Sequence, residues 1–324
     1  MDLTGVLVGT AVGDSLGLPR EGLSARRAAR LYKGPLRQRL GLLSDDTEHA
    51  CLTLQALRQS TSPKHFARVL ASQLRWWLLA LPPAIGFGTL RALVRSWLGW
   101  PPSKSGVRSA GNGAVMRAPV IGAAIDDPHR IPAYVAASTA ITHRDPRAYA
   151  GSLAIAIAAH HAQRGCTDAA TILDHITREV RDPELLAALA RVERALAADR
   201  SPAELAAELD LADGVTGYVH ATVPMCLFVF LRSPRDLRRA LTDVIALGGD
   251  TDTTAAIVGA LVGANADPPA EWLRIIDWPL SLPRIRAIAR DKSHAPWMLA
   301  IPARNLIFFA IVMMVGIRRL LPPY

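Results

Sequence analysis

Two short runs, Ser44-Asp45-Asp46-Thr47 and Gly248-Gly249-Asp250-Thr251-Asp252-Thr253, gather four carboxylates and several hydroxyls about two hundred residues apart. Asp250 and Asp252 would point to nearly opposite sides of a regular helix, so they converge only in a loop and first turn that open one. The two glycines before them permit the sharp turn, and the small apolar residues after them suit a helix packed closely at the centre of a domain. Asp and Thr are also good helix caps, so a plain helix start is the alternative for either run taken alone. Two runs of the same chemistry favour a shared site. Neither has Cys or His at ligand spacing, which makes zinc a poor fit. Carboxylate and hydroxyl oxygens suit Mg²⁺ or Mn²⁺, and four carboxylates suffice for two such ions. Packed together without cations they would repel, and several would take up protons. A pair of divalent cations could orient vicinal hydroxyls, hold a water and place positive charge beside a reacting bond.

The elements that must position these groups read as helices and loops, with no convincing alternation of period two between Asp2 and Asp267. Gly5, Gly9, Gly13 and Gly17 recur every four residues, a stripe without side chains against which another helix can pack closely. No GK[ST] ending follows them, so they do not form a phosphate loop. Asp14 reads as a local structural hydrogen-bonder. Glu21, just past Pro19, sits where that helix should end and projects beyond it. Both acidic runs open helices. Pro63 and Pro82-Pro83 bracket a third, and residues 82–110 form a long loop with a short helix near 88–98. Gly111-Asn112-Gly113 then precede Arg117 and Pro119. Such a turn could present several N–H groups as an anion nest or be an ordinary glycine turn. Thr142-His143 precede a long helix over 147–163, and further helices are expected at 167–181, 183–199, 202–209, 216–231 and 234–247. His143 alone would more often be a cap or core residue than a catalyst.

The order GVLVGTAVGDSLGLPRE, SDDT, GNGAVMR, TH and GGDTDTTAAIVGALVGA resembles the ADP-ribosylglycohydrolase family over residues 3–265. That resemblance implies an all-α fold, a compact orthogonal helical bundle with a central metal cleft holding two Mg²⁺ (or Mn²⁺). It also implies hydrolysis of the N- or O-glycosidic bond between ADP-ribose and an acceptor, a protein side chain or small molecule. Position by position, it makes Ser44, Asp45, Asp46, Asp250, Asp252 and Thr253 metal ligands. Gly111, Asn112 and Gly113 would cradle the diphosphate, and His143 would contact the substrate near the reacting ribose. Glu21 matches the glutamate that contacts or gates the metal site. Glu21, Asp46 and Asp252 form the catalytic set, with Glu21 and Asp252 both candidates for the proton acceptor. Two features depart from the family pattern: a short interval from Glu21 to Ser44, and a tail beyond 268 outside the core of the resemblance. A catalytically inactive ADP-ribose-binding or structural member is the alternative, disfavoured by the intact aspartate sets.

The 324 residues are divided into a catalytic domain, 1–267, and a C-terminal extension, 268–324, whose apolar helix packs on it. Half the residues are hydrophobic and a fifth charged, which excludes global disorder. The net charge of +9 raises nucleic acid or an anionic membrane as partners. The arginines are dispersed and the aromatics do not interleave with basic runs, so nucleic acid is not the expected main partner. Three separated cysteines and the lack of a basic leader favour a reducing, cytoplasmic setting. Asn305–Ile317 carries no charge but falls short of the roughly 18–20 residues a span needs. A buried or surface-amphipathic helix is therefore preferred there over membrane contact through residues 296–319. Phe308, Ile311 and Met314 are its expected inward side chains.

Overall fold

The glycine stripe has a partner. In the computed structural model, which describes residues 2–37, 41–82, 85–274, 280–291 and 301–320, the opening helix Thr4–Gly17 lies antiparallel against the helix Thr251–Gly263. A Cβ added at Gly5, Gly9, Gly13 or Gly17 would fall on the carbonyl oxygen of Gly263, Gly259, Ala255 or Thr251 in turn. Gly259 and Gly263 answer in kind, a Cβ on either falling on the backbone of Gly9 or Gly5. Two backbones therefore touch where most helix pairs are held apart by side chains. Thr251 Oγ1 closes the seam by donating to the carbonyl of Gly17 at 2.8 Å.

The fold is all-α. Many helices begin at a cap followed by proline, because the cap side chain takes a free N–H and proline has none to lose. Ser62-Pro63, Asp145-Pro146, Asp182-Pro183 and Ser201-Pro202 all do so. They start the helices Pro63–Leu78, Pro146–Gln163, Pro183–Ala197 and Pro202–Glu208 within a residue of the expected positions. The helix expected from Pro234 begins instead at Leu237, because Asp236 provides the cap by accepting from Arg239 N. The helix Val219–Arg232 is buried throughout except at its last residue, with Cys226 and Phe228 inside.

One element escaped the period-two reading. Leu23–Ser24 pairs antiparallel with Gly248–Gly249, a ribbon too short to show alternation. Gly248 and Gly249 have φ of 73° and 84°, and a Cβ on either would strike the backbone of neighbouring segments. Only glycine fits both the left-handed conformation and the space. The ribbon ties the segment after Glu21 to the segment before Asp250.

Beyond 268, Trp272, Leu280, Ile285 and Ile288 join the core, and Arg58 donates to the carbonyls of Ile288 and Ala289. The tail helix Ile301–Leu320 turns Arg304, Asn305 and Phe308 inward. Arg304 pairs with buried Glu48 at 3.2 Å and donates to the carbonyl of Leu43, while Asn305 Nδ2 donates to Ala80 O at 2.8 Å. Ile311 is half-buried. Met314, expected inside, is 62% exposed, because the helix meets the body along a narrow line through 304, 308 and 311. Residues 296–300, part of the segment weighed for membrane contact, lie outside the described residues. No described helix is long and apolar enough to cross a membrane.

Candidate active site

Both acidic runs open on one cavity of about 520 Å³. Glu21, Ser44, Asp45, Asp250, Asp252 and Thr253 line it at one end, and Gly111, Asn112, Gly113 and His143 form its wall. Asp46 lies just behind, almost fully buried, its Oδ2 accepting from Ser44 Oγ and Thr253 Oγ1, each at 3.1 Å. Thus one residue from each run meets across a separation of 207 positions.

The two helix starts differ in how they use their caps. Ser44 caps Asp45–Arg58 in the ordinary way, Oγ accepting from Asp46 N at 3.2 Å. Asp250 stands at the cap of Thr251–Gly263 yet makes no side-chain cap bond. Its Oδ2 instead accepts from Asn112 Nδ2 at 2.7 Å. The carboxylate is thereby turned away from the helix end that a plain cap would serve.

Asp14 holds the first run from a distance. Its carboxylate accepts from Ser44 N at 2.9 Å, Thr47 N at 3.3 Å and Thr47 Oγ1 at 2.5 Å. It is therefore not a local bonder of its own helix. Burial pushes its carboxyl up to about 6 against those donors. Burial, then the charges of Glu48, Asp14 and Glu21, holds Asp45 well above the usual carboxylate range. Asp46 is raised by burial and by Asp45, Asp14 and Asp250. Asp252 is raised by burial and by Glu21, Asp250, Asp46 and Asp14. In addition, Asp46 Oδ1 and Asp252 Oδ1 are buried with no hydrogen-bond partner. Such atoms are rare in folded proteins and call for a cause. Among the described residues no three His, Cys, Asp or Glu side chains converge as a finished cation cage. The acidic groups share a cavity and repel one another without meeting at one point.

Two N–H groups of the glycine wall are already engaged within the protein. Asn112 N–H donates to Gly217 O at 2.8 Å and Gly111 N–H to Ser109 Oγ at 3.3 Å, and neither glycine has a left-handed φ. A Cβ on Gly113 would instead crowd Thr89 Oγ1 and the His143 ring. Gly113 is small so that His143 can lie close, and the positive groups facing the cavity are Arg91 and Arg108.

His143 follows the helix Ile131–Thr142 and is held by a buried relay. Arg117 Nη2 donates to Thr142 Oγ1 at 2.8 Å, and that oxygen lies 2.9 Å from His143 Nδ1. Arginine can only donate, so Thr142 Oγ1 accepts from Arg117 and holds Nδ1 of the ring, leaving Nε2 on the cavity side. Burial, then Arg117, lowers His143 to about 3 and keeps the ring neutral. Arg117 further donates to Gly113 O at 2.6 Å, locking wall and imidazole together. Neither Asp14 nor Arg117 had a signal of its own in the sequence beyond a charge set among apolar residues.

A family profile described as ADP-ribosylglycohydrolase matches residues 2–296. The ADP-ribosyl-[dinitrogen reductase] glycohydrolase of Rhodospirillum rubrum is 26% identical over 294 residues, covering 84% of this chain and 89% of that one. ADP-ribosylhydrolase ARH3 of Xenopus tropicalis is 30% identical over 189 residues, about half of each chain. A solved structure described as an ADP-ribosylglycohydrolase-related protein complex superposes with a TM-score of 0.67 at 26% identity, covering 94% of this chain and 97% of that one.

Proposed function

The chain belongs to the ADP-ribosylglycohydrolase family, and from that premise we propose that it hydrolyses the glycosidic bond between ADP-ribose and an acceptor with the help of two Mg²⁺ or Mn²⁺ ions. The observation that carries this reading is the pair of buried, partnerless carboxylate oxygens, Asp46 Oδ1 and Asp252 Oδ1, where two distant acidic runs share one cavity. Hard oxygen donors in that number fit hard divalent cations. Ser44, Asp45, Asp46, Asp250, Asp252 and Thr253 would hold them. When bound, the ions supply fixed positive charge that offsets the carboxylates and polarises the groups bound beside them.

The chain's own residues supply the rest. Cleavage at the anomeric carbon of ribose builds oxocarbenium character, which neighbouring carboxylates stabilise. Water adds to that carbon, the bond to the acceptor breaks, and the acceptor leaves with a proton. Glu21 and Asp252 both face the cavity and are the candidates for taking the proton of the water. His143, kept neutral by burial and Arg117, lines the cavity where it would contact the substrate near the reacting ribose. Arg91 and Arg108, which line the cavity, would meet the diphosphate beside the Gly111–Gly113 wall. Asn112 orients Asp250.

The test is release of ADP-ribose from a panel of ADP-ribosylated acceptors, with and without EDTA. Release that stops in EDTA and returns with Mg²⁺ or Mn²⁺ is expected. Full activity after chelation and dialysis would remove the metal reading, and binding of ADP-ribose with no release from any acceptor would remove the hydrolytic one.

A further inference from the structure

The sequence holds no Asp or Glu between Glu48 and Asp126, and none after Asp291. The first interval carries nine Lys or Arg, the second four. Every exposed large hydrophobic side chain among the described residues falls inside these two intervals, between Trp76 and Trp100 or between Leu306 and Ile317. Acid-free basic sequence and exposed apolar surface therefore coincide.

The two intervals meet in space. Asn305 bonds to Ala80 O, which sets the tail helix beside exposed Leu79 and Leu81. Phe308 and Val312 from the tail helix line the same cavity as exposed Phe87. Trp76 and Trp97 stand edge to face with ring centres 5.7 Å apart, joining the helices Pro63–Leu78 and Phe87–Trp97. The outer face of the tail helix carries Leu306, Ile307, Phe309, Met313 and Ile317, all more than half exposed or nearly so. On the helix Pro63–Leu78, Lys64 and Arg68 lie along the same exposed stripe as Trp76. Its outer face thus grades from basic at one end to apolar at the other. Arg75 lies over the Trp97 ring and Arg95 over the Trp100 ring.

Apolar residues edged by tryptophan and arginine, with no acid among them, match the interface of a bilayer, where aromatic rings sit at headgroup level and basic groups meet anionic lipid. A second copy of the chain is a poorer occupant, since a self-matched face would bring like charges together. We propose that this surface docks peripherally on an anionic lipid bilayer, with the mouth of the cavity at its edge. The tail helix then lies along the interface and does not cross it, because its uncharged stretch is short of a span and Arg304 ties one end of it to the body.

Sedimentation of the full-length chain with phosphatidylcholine vesicles, with and without about one-third phosphatidylglycerol, tests this. Binding is expected to the anionic vesicles at low salt, to weaken in 0.5 M NaCl, and to blue-shift tryptophan emission. The double variant Phe309→Glu with Met313→Glu should bind at least tenfold more weakly, and Lys64→Glu with Arg68→Glu should do likewise, each keeping its helical circular dichroism and its rate on a soluble substrate. Failure of the unaltered chain to bind anionic vesicles at low salt would overturn the proposal, as would binding that both variants leave intact. A dimer in ultracentrifugation that Phe309→Glu dissociates, with no vesicle binding, would assign the face to a second copy.

Discussion

Asp252 has a buried oxygen with no partner and several like charges around it. A carboxyl whose folded value is raised binds more protons folded than unfolded, so its destabilisation is complete only above the raised value and is relieved as the pH falls through that value toward the unfolded one. The cation-free protein is thus expected to gain stability on mild acidification, and Asp252→Asn to raise the cation-free melting temperature while abolishing most turnover. Scanning calorimetry in EDTA beside an activity assay checks both; a destabilised Asp252→Asn protein in EDTA would refute it. His143 behaves in the opposite sense. Its lowered value leaves the unfolded chain binding more protons between about pH 6.5 and 3, so this residue subtracts stability across that window as pH falls. Its ring signals in NMR should stay those of a neutral imidazole at pH 5, whereas a midpoint near 6.5 would refute the relay. Thr142→Val, which removes the hydroxyl that pairs with His143 Nδ1, should lower kcat/KM by about tenfold, the scale of one positioned hydrogen bond. The carboxylates were legible in the sequence because four acids and two hydroxyls in short runs are chemically distinctive. Asp14 and Arg117 were not, because their bonds reach 30 and 25 positions along the chain and leave no local pattern.

At the scale of elements, the glycine seam decides where the site's parts stand. Asp14 rides on one helix of the pair and Asp252 on the other, with Glu21 just past the first and Asp250 just before the second. Gly9→Ala forces a Cβ onto the Gly259 carbonyl and should cost about 1–3 kcal/mol in denaturant unfolding, with Gly9→Val costing more. Either should also lower activity more than an equally destabilising change far from the seam, because separating the helices moves the carboxylates apart. A stable, fully active Gly9→Val variant would mean that the seam carries no such constraint. Spacing of four along one helix is visible in any sequence, as are cap-and-proline starts, so a close helix contact on the stripe and most boundaries were legible for that reason, while the identity of the partner helix was not. The two-residue ribbon was not, since two residues cannot display a period. The Gly111–Gly113 turn stayed open between two readings for another reason: Gly113 answers the bulk of His143, and composition alone does not distinguish room for a neighbour from room for an anion.

For the whole molecule, the tail helix is bound by few but buried contacts. Arg304 and Glu48 form an ion pair with side chains 7% and 3% exposed, and Glu48 also accepts from Trp77 Nε1. Removing one member of such a pair strands the other, at a cost of about 3–5 kcal/mol. Arg304→Met should therefore lower the melting temperature clearly, and deletion of residues 296–324 should do so too while removing the part of the cavity wall formed by Phe308 and Val312. A truncated chain melting at the original temperature would show the helix to be a bystander. The seam has a further consequence, in time. Its two halves leave the ribosome 234 positions apart, measured from Gly17 to Thr251. At roughly 5–20 residues per second that is on the order of ten to fifty seconds. Throughout that interval Leu7, Val12 and Leu16, all fully enclosed in the finished protein, have no backbone to lie against. The half of the centre made first must wait longest, and until the second acidic run emerges no amount of correct local folding can bring the two runs together.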